Sequence, residues 1–342
     1  MHAKANGRGH VIWLAIMAAT FGRSPDTARS RLPCTAMESE ALGIHPIDVG
    51  YLGLPEAALA FLVRVPQGAL LVECGPAATR ATLEAGLERH HVPMDRVQHL
   101  LLTHIHLDHA GASGHLAAAG AHVHVHPFGV RHLVDPGKLI ASSRRVHGAA
   151  YDRFYGDPRP ILPDRIVPAQ DGVTISILGA HATPLFTPGH ARHHVVWMLH
   201  DGARTHAFMG DLAGIRVPQS EWIAVPTPPP EYEPDAWLAS LDRVLAARPT
   251  DLWLTHGGHV ANSAPDSERF LRRARDRVAQ EGERLRQVVA MPESEALPAY
   301  GAWVREQART GGVPTGQIAC FLDEGFLRMN LGGARRAFAT PA

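Results

Sequence analysis

The sequence predicts an α+β fold in which helices cover a sandwich of two β-sheets. Two halves of the chain are rich in short apolar segments of strand character, one beginning at Ala58 and the other at Val173. Helical segments lie between these strands, and a long amphipathic segment follows the second half. Because each sheet and each helix must bury an apolar face, two sheets packed together with helices outside satisfy both requirements.

The first half begins with a β-hairpin. "ALAFLVRV" and "ALLVEC" are rich in strand-forming residues and are separated by "PQG", a typical turn. The dipeptide "GP" then ends the second strand, and the spacing of apolar residues over 75–91 predicts a helix. Further along, "VQHLLLT" predicts a buried strand, "ASGHLAAAG" a short helix and "AHVHVH" another strand.

The second half is again rich in strands and ends in a long helix. Residues 127–165 between the halves are loop and helix material. Residues 264–289 have a broken apolar stripe at helical spacing, and the seven arginines among them are interleaved with acids, as on a solvated helix face. The predicted strands of this half are "VTISIL", "ATPLFT", "HVVWML", "THAFMG" and the beginning of "DLWLTHGGH".

The pattern divides the chain into three segments. Residues 44–264 contain the predicted strands and form the folded domain. Residues 1–43 form an N-terminal extension, either disordered or the result of an upstream start, because Met37 closely precedes the patterned region. Residues 265–342 form a small helical C-terminal appendage, which is a candidate surface for a homodimer. Residues 11–21 have the length of the apolar part of a signal peptide but lack a clear cleavage site, so we expect a cytoplasmic protein, with export as the alternative.

Charge and cysteine content exclude several classes of partner and site. The 342 residues include 33 basic and 33 acidic side chains, so the formal net charge is zero. No overall field attracts nucleic acid or an anionic membrane, and we expect neither as a partner. Cys34, Cys74 and Cys320 lie far apart without a CxxC pair, which fits neither a disulfide framework nor a thiolate zinc site.

The segment "HIHLDH" places three histidines and an aspartate within six residues, directly after an apolar strand. His104 and His106 are two residues apart, and Asp108 and His109 follow as the chain turns towards a helix. Imidazole and carboxylate without thiolate form a ligand set that suits zinc and is acceptable to iron or manganese. One loop can therefore supply ligands to two metal ions.

Three further polar residues follow apolar strands and are candidates for the same site. His190 ends "FTPGH", where Gly189 allows the backbone to turn closely around a site. Asp211 follows Gly210 in "AFMGD", and His256 ends "LWLTH". Loops at strand ends are where protein scaffolds commonly present functional groups.

Other histidines are interpreted as structural. The alternation in "AHVHVH" places its three histidines on one face of a strand, but no carboxylate accompanies them. We therefore expect packed and hydrogen-bonded side chains there rather than metal ligands. The same expectation applies to four histidines near the other motifs: His115, His181, His193 and His194.

In this order, HxHxDH, TPGH, GD and LTH resemble the motifs of the metallo-β-lactamase superfamily, whose hydroxyacylglutathione hydrolases and lactonases share them. The resemblance extends over about residues 44–264 and implies an αββα sandwich of two mixed β-sheets flanked by helices. The turn after the second predicted strand usually reads Asp-x-Gly in this family but reads "ECG" at residues 73–75 here. We expect this departure to affect the groups that hold the ligands in place and not the ligands themselves. The resemblance implies a first metal ion held by His104, His106 and His190, a second held by Asp108, His109 and His256, and Asp211 as the bridge.

The resemblance also implies the chemistry. The expected reaction is hydrolysis of an ester, thioester or lactone of a small molecule by a hydroxide that bridges two zinc ions, with iron or manganese as alternative metals. Asp108 is the expected catalytic residue, since it can accept a proton from water and pass it to the leaving group. Substrate specificity is expected from the loops around Tyr151 and Tyr155 and from the Pro-rich segment 224–234.

Three other activities, and a member of the family without activity, are alternatives compatible with the same motifs. A phosphodiesterase or RNA-processing nuclease would favour a basic groove, which the balanced charge does not suggest. A β-lactamase would usually be exported. A mononuclear iron persulfide dioxygenase needs only two histidines and one aspartate, so Asp108, His109 and His256 argue against it. A member without activity would normally have lost ligands, and here all are present.

Overall fold

The fold is described for residues 42–202, 204–217, 219–318 and 323–339 of a computed structural model. The predictions for residues 1–41, which include the signal-like stretch and Cys34, lie outside the described residues, and so does Cys320. None of the helices in the described ranges is long and apolar enough to cross a lipid bilayer.

Six strands form the first sheet in the order of the sequence. The pairs β1–β2 and β2–β3 are antiparallel, and the next three pairs are parallel, so the sheet is mixed. The predicted hairpin is present as β2 and β3. The strands are β1 (Gly43–Asp48), β2 (Leu59–Val65), β3 (Gly68–Val72), β4 (His99–Leu101), β5 (His122–Val125) and β6 (Ile166–Pro168).

The second sheet also has six strands, in the order β14-β13-β10-β9-β8-β7. Only the pair β10–β13 is parallel among its described strand pairs, so this sheet is mixed as well. β11 (Ile215–Arg216) and β12 (Ile223–Ala224) form a separate two-stranded ribbon. The six strands are β7 (Ile175–Ile177), β8 (Ala180–Phe186), β9 (Val195–His200), β10 (Thr205–Phe208), β13 (Asp251–Leu254) and β14 (Gly258–Ala261).

The helices form two outer layers. Those that precede β6 pack on the first sheet, and those that follow β12 pack on the second. The first group is α1 (Arg80–Arg89), α2 (Leu107–Ala110), α3 (Ser113–Ala118), α4 (Pro127–Val134), α5 (Gly137–His147) and α6 (Tyr151–Phe154). The second group is α7 (Pro234–Ala247), α8 (Ala264–Val289), α9 (Glu293–Thr310), α10 (Thr315–Ile318) and α11 (Glu324–Ala337).

The alternation of side chains along β2 shows how the four layers are held together. Phe61 points between the sheets and meets Phe208 and Trp253 edge to face, with ring centroids 5.4 and 5.9 Å apart. Leu62, the next residue, packs under the first helix layer. Successive residues of a strand face opposite sides, so β2 supplies apolar side chains to two cores. The predicted αββα sandwich of two mixed sheets is confirmed.

The long helix α8 belongs to the second helix layer. The apolar stripe predicted from its sequence is buried from Phe270 to Val288 and shares one core with α7, α9 and α11. On its outer face, Arg272 pairs with Glu268 at 2.7 Å, as expected for a solvated surface. The C-terminal helices are therefore packed against the sandwich through a continuous apolar core.

His124 in β5 and His126 directly after it are packed as structural groups. His124 is 4% exposed, and its Nε2 lies 3.0 Å from Nδ1 of His99. His126 accepts a hydrogen bond from the backbone N–H of Phe128 and so caps α4. Burial, reinforced by the neighbouring imidazoles of His99 and His122, lowers the pKa of His124 from 6.5 to about 3.

We expect His124 to make the free energy of unfolding depend on pH between about 6.5 and about 3. In this window the unfolded chain binds a proton that the folded chain excludes, so stability is present above the window and is lost as the pH falls. Replacement of His124 by Leu should make this slope shallower by at most about 1.4 kcal/mol per pH unit. Denaturant unfolding at successive pH values measures the slope, and an unchanged slope contradicts the assignment.

Candidate metal centre

Four strand ends meet at one edge of the sandwich and present the candidate ligands. The loop after β4 supplies His104 and His106, and the first turn of α2 supplies Asp108 and His109. The loops that follow β8, β10 and β13 supply His190, Asp211 and His256, respectively. The structure brings all seven sequence-predicted residues together, in three overlapping groups whose ligand atoms lie within 4.8 Å of one another.

The first group consists of three imidazoles. Nδ1 of His106 lies 3.0 Å from Nε2 of His104 and 3.0 Å from Nε2 of His190. Ligand nitrogens about 2.0–2.1 Å from a tetrahedral zinc ion are about 3.3 Å apart, so this spacing is close to that of a filled site. The three nitrogens converge on one point that a divalent cation can occupy.

The second group contains two imidazoles and a carboxylate. Nε2 of His109 and Nε2 of His256 are 3.2 Å apart, and each lies 3.7 Å from Oδ2 of Asp108. Both histidines are buried, whereas the side chain of Asp108 is 21% exposed and faces the open side of the site. This group can hold a cation and leaves one carboxylate within reach of a bound molecule.

Asp211 lies between the two groups. Its Oδ1 is 3.3 Å from Nε2 of His109 and 3.3 Å from Nε2 of His256, and its Oδ2 is 3.3 Å from Nε2 of His190. Each carboxylate oxygen therefore faces a different group of ligands. This is the geometry expected of a carboxylate that bridges two cations.

The donor set fits divalent cations. Oδ1 of Asp211 is buried and accepts no well-aligned hydrogen bond from the described residues. A buried carboxylate oxygen without a donor is costly, and a cation removes that cost. The nitrogen and oxygen donors, without thiolate, are those that zinc, iron and manganese accept. The described residues can therefore hold divalent metal ions.

Burial and mutual contact shift the pKa values of these groups in opposite directions. Burial lowers the pKa of His104 and that of His106 well below the usual range, so both are neutral and ready to coordinate. For His109, burial is the largest single influence and acts to lower the pKa, but the carboxylates of Asp211, Asp108 and Glu73 together outweigh it and raise the pKa well above the usual value. Cation binding therefore requires the release of a proton from His109.

Polar groups behind the ligands fix their orientation. Nδ1 of His104 lies 3.0 Å from Oγ1 of Thr103, and the carboxylate of Glu73 accepts hydrogen bonds from both the hydroxyl and the backbone N–H of Thr103. Oε1 of Glu73 is also 3.6 Å from Nδ1 of His109. Glu73 thus supports one ligand of each group, His104 and His109. It lies in the turn that reads ECG in place of Asp-x-Gly, and the sequence predicted that this departure affects the support of the ligands.

We expect Glu73→Gln to lower the affinity for divalent metal by about 10- to 100-fold, the usual effect of removing a carboxylate behind a ligating histidine. Glu73 is fully buried, and its charge favours the orientation and basicity of His109 and, through Thr103, of His104. Competition with a chelator measures the affinity, and Glu84→Gln, at a part-exposed ion pair on α1, is the control. If the affinity for divalent metal were unchanged in Glu73→Gln, the supporting role assigned to Glu73 would be wrong.

Two glycines permit the close packing of the ligand loops. Gly210 has a φ of +50°, and a Cβ there would lie 2.5 Å from Oγ1 of Thr103 and 2.6 Å from Nε2 of His194. Gly189 has a φ of +143°, and a Cβ there would lie 2.3 Å from Cα of Trp237. The expected close turn at Gly189 is therefore present, and the partner it approaches is the backbone of α7.

The structural role expected for the histidines after the TPGH motif agrees with their contacts. Nε2 of His194 accepts a hydrogen bond of 3.1 Å from the backbone N–H of Asp211, and its Nδ1 lies 2.8 Å from Oγ1 of Thr187. Nε2 of His193 pairs with Glu231 at 3.1 Å. Both residues position the loops of the site, although neither belongs to a ligand group among the described residues.

A cavity of about 450 Å³ opens above the candidate ligands. Tyr155 and residues 228–231 of the Pro-rich segment line it, as expected, but Tyr151 does not. Tyr151 is fully buried in the first helix layer, with the guanidinium of Arg144 4.2 Å above its ring. The cavity is also lined by α5 and α11, which sequence reasoning did not connect with the site.

α5 forms one wall of this cavity, and the feature of the sequence that could have indicated this is the spacing of the residues that line it. Leu139, Ser142, Ser143 and Val146 follow each other at intervals of three, one and three residues, as on one face of a helix, and all line the cavity. The Glu231–His193 pair and the position of α11 had no sequence signal, because both depend on contacts between distant segments.

Comparison with known proteins finds a matching family. The family model described as "Metallo-beta-lactamase superfamily" matches residues 53–259, more than half of the chain. The metallo-beta-lactamase fold-containing protein ST1585 of Sulfurisphaera tokodaii is 26% identical over 223 residues, which cover 64% of this chain and 80% of that protein.

Two solved structures show the same fold. The crystal structure of ST1585 from Sulfolobus tokodaii superposes with a TM-score of 0.56 at 24% identity and covers 70% of this chain and 86% of that one. The crystal structure of the metallo-beta-lactamase family protein TTHA1429 from Thermus thermophilus has a TM-score of 0.56 at 23% identity, with 85% and 91% covered. At these identities the likeness concerns the fold alone.

Proposed function

The chain belongs to the metallo-β-lactamase superfamily, and from this premise we propose that it is a dinuclear metal-dependent hydrolase of small-molecule esters, thioesters or lactones. Members of this superfamily are mostly metal-dependent hydrolases, and the ligand groups described above are complete. The proposed ligands of the first ion are His104, His106 and His190, those of the second are Asp108, His109 and His256, and Asp211 bridges the two. We propose zinc as the metal, with iron or manganese as alternatives.

The observation that carries this proposal is the position of Asp211. Its two oxygens lie 3.3 Å from nitrogens of different ligand groups, so each oxygen is placed to bind a different ion. The complete second group, with His109 and His256 3.2 Å apart, also favours two ions over the mononuclear arrangement of a dioxygenase. These distances support a dinuclear centre.

The chain itself supplies the proton transfer and the positioning. A pair of bound divalent cations would lower the pKa of water and polarise a substrate carbonyl. Asp108, part-exposed on the cavity side, can accept the proton of the attacking water and donate it to the leaving group. Asp211 and the buried histidines hold the reacting groups at fixed positions, which reduces the entropic part of the barrier.

Metal analysis of the purified protein, followed by an activity screen, tests this proposal. The expected result is about two divalent ions per chain and hydrolysis of members of a panel of esters, lactones and glutathione thioesters. Asp108→Ala should lower turnover by about 10²- to 10⁴-fold, the usual contribution of a general acid–base group. Exposed Asp152 on α6, replaced by Ala, is the matched control.

The same screen separates the alternatives. Phosphodiesters and nitrocefin are included in the panel, so preferential hydrolysis of either would replace the proposed substrate class. One iron ion per chain together with persulfide oxidation would replace the dinuclear centre. Full activity and full metal content in both Asp108→Ala and His109→Ala would contradict the mechanism.

A further inference from the structure

One wall of the cavity above the ligands is a face of α5. Leu139, Ser142, Ser143 and Val146 lie on this face, so small hydroxyls stand between two apolar side chains. Lys138 and His147, at the two ends of the same helix, also line the cavity. Val146 is 48% exposed, an unusual exposure for a large apolar side chain in the described ranges. An apolar side chain that lines a cavity without being covered is available to a bound molecule.

A second wall comes from α11 and the Pro-rich segment. Phe326 and Met329, three residues apart on α11, line the cavity together with Pro228 and Pro229. Asn330, on the same helix and fully buried, holds this wall in place. Its Oδ1 accepts a hydrogen bond of 2.9 Å from the backbone N–H of Thr227, and its Nδ2 donates to Val225 O at 3.0 Å. The apolar wall is therefore preformed.

Two of the acidic groups that line the cavity, Glu231 and Asp323, are engaged by the protein. Glu231 pairs with His193 at 3.1 Å and with Arg192 at 3.2 Å. Asp323 accepts hydrogen bonds from the first backbone N–H groups of α11, the nearest at 2.8 Å, and caps that helix. Neither carboxylate offers a free charge to a ligand.

One of the basic groups that line the cavity, Arg216, is also engaged by the protein. Arg216 donates a hydrogen bond of 3.0 Å to Gly257 O, which holds its guanidinium against the loop that carries His256. Lys138 and Glu56, of opposite sign, also line the cavity, and both are exposed to solvent. The interior between the two walls thus presents mainly apolar surface above the ligands.

We infer that the substrate carries an extended, uncharged apolar group, such as a medium-length acyl chain, which lies between α5 and α11 while its carbonyl reaches the metal ligands. The inference rests on the proposed hydrolase function and narrows its substrate class. Glutathione thioesters and phosphodiesters, which bring anionic groups, fit this cavity less well, because a buried charge without a partner is costly.

Binding of uncharged, poorly hydrolysed amides to the full-length protein tests the inference without relying on turnover. N-methyl amides with butanoyl, hexanoyl, octanoyl and decanoyl chains are titrated by calorimetry. We expect the dissociation constant to fall about fourfold for each added methylene, the factor that burial of one methylene supplies. A terminal carboxylate on the decanoyl chain should weaken binding. Affinity that is independent of length, or tighter binding of the carboxylate, would overturn the inference.

Two matched variants locate the chain in the cavity. Val146 and Val173 are similarly exposed, at 48% and 46%, but only Val146 lines the cavity. Because both side chains are already exposed, replacement of either by Lys should leave the fold intact. We expect Val146→Lys to weaken binding of the decanoyl amide by about tenfold and Val173→Lys to leave it unchanged. Equal effects, or tighter binding in the Val146 variant, would contradict the assignment.

Hydrolysis and metal content are measured on the same preparations, so the two proposals can fail separately. Suppose that the protein binds the amides with length-dependent affinity but retains no divalent ion and hydrolyses nothing. That result would refute the proposed hydrolase function and leave the proposed apolar binding site standing. Hydrolysis of short and long esters at equal kcat/KM, with length-independent amide binding, would refute the apolar site and leave the hydrolase.

Discussion

Asp211→Ala is expected to lose at least half of the bound divalent metal and to lower kcat/KM for the best substrate by about 10³-fold or more. Both oxygens of this carboxylate face ligand nitrogens at 3.3 Å, so its removal weakens both cation positions at once. Stabilisation by a metal ion is worth several kcal/mol in the transition state, and each 1.36 kcal/mol is a factor of ten in rate. Elemental analysis and steady-state kinetics measure the two losses.

The control for this variant is another buried aspartate of the same sheet. Asp251 is 2% exposed and pairs with Arg204 and with His259 at the opposite end of β13 from His256. Asp251→Ala should lower stability but leave metal content per folded chain unchanged. If Asp211→Ala retained full metal and activity, or if both variants lost metal equally, the bridging role would be wrong.

Gly189→Ala is expected to destabilise the fold by about 3 kcal/mol or more and to reduce the soluble yield. The new methyl group would lie 2.3 Å from both Cα and Cβ of Trp237, so either α7 or the loop of His190 must move. Forcing extra volume into a packed site typically costs about 1–3 kcal/mol, and the left-handed backbone adds about 1–2 kcal/mol for a residue with a side chain.

Gly120→Ala separates these two contributions. Gly120 has a φ of +120°, but a Cβ there would meet no atom within 4 Å. We expect this control to show only the backbone cost, about 1–2 kcal/mol. Denaturant unfolding measures both variants. Similar losses in the two would mean that the contact with Trp237 relaxes without cost.

The fold and the ligand positions could be predicted from the sequence because both depend on local patterns. Period-two and helical spacing predict the strands and helices, and the apolar stripe of α8 is buried as its spacing indicates. His190, Asp211 and His256 each follow an apolar strand, and strand ends that meet at one edge bring such residues together.

The walls of the site could not be predicted in the same way. The contact between Thr227 and Asn330 joins residues 103 positions apart, and no local pattern indicates which segments will meet at that distance. Tyr151 shows the same limit: it is near Tyr155 in sequence, yet its side chain turns into the helix layer while that of Tyr155 lines the cavity.

The anchoring of α11 by Asn330 has a consequence for how this protein could acquire new substrates. Every candidate ligand precedes residue 257, whereas Phe326 and Met329, which shape the space above them, belong to α11, the last helix of the described ranges. Mutations in α11 can therefore reshape the cavity and leave every candidate ligand unchanged. For the hydrolase proposed above, exchange of α11 between relatives would be a direct route to altered substrate specificity.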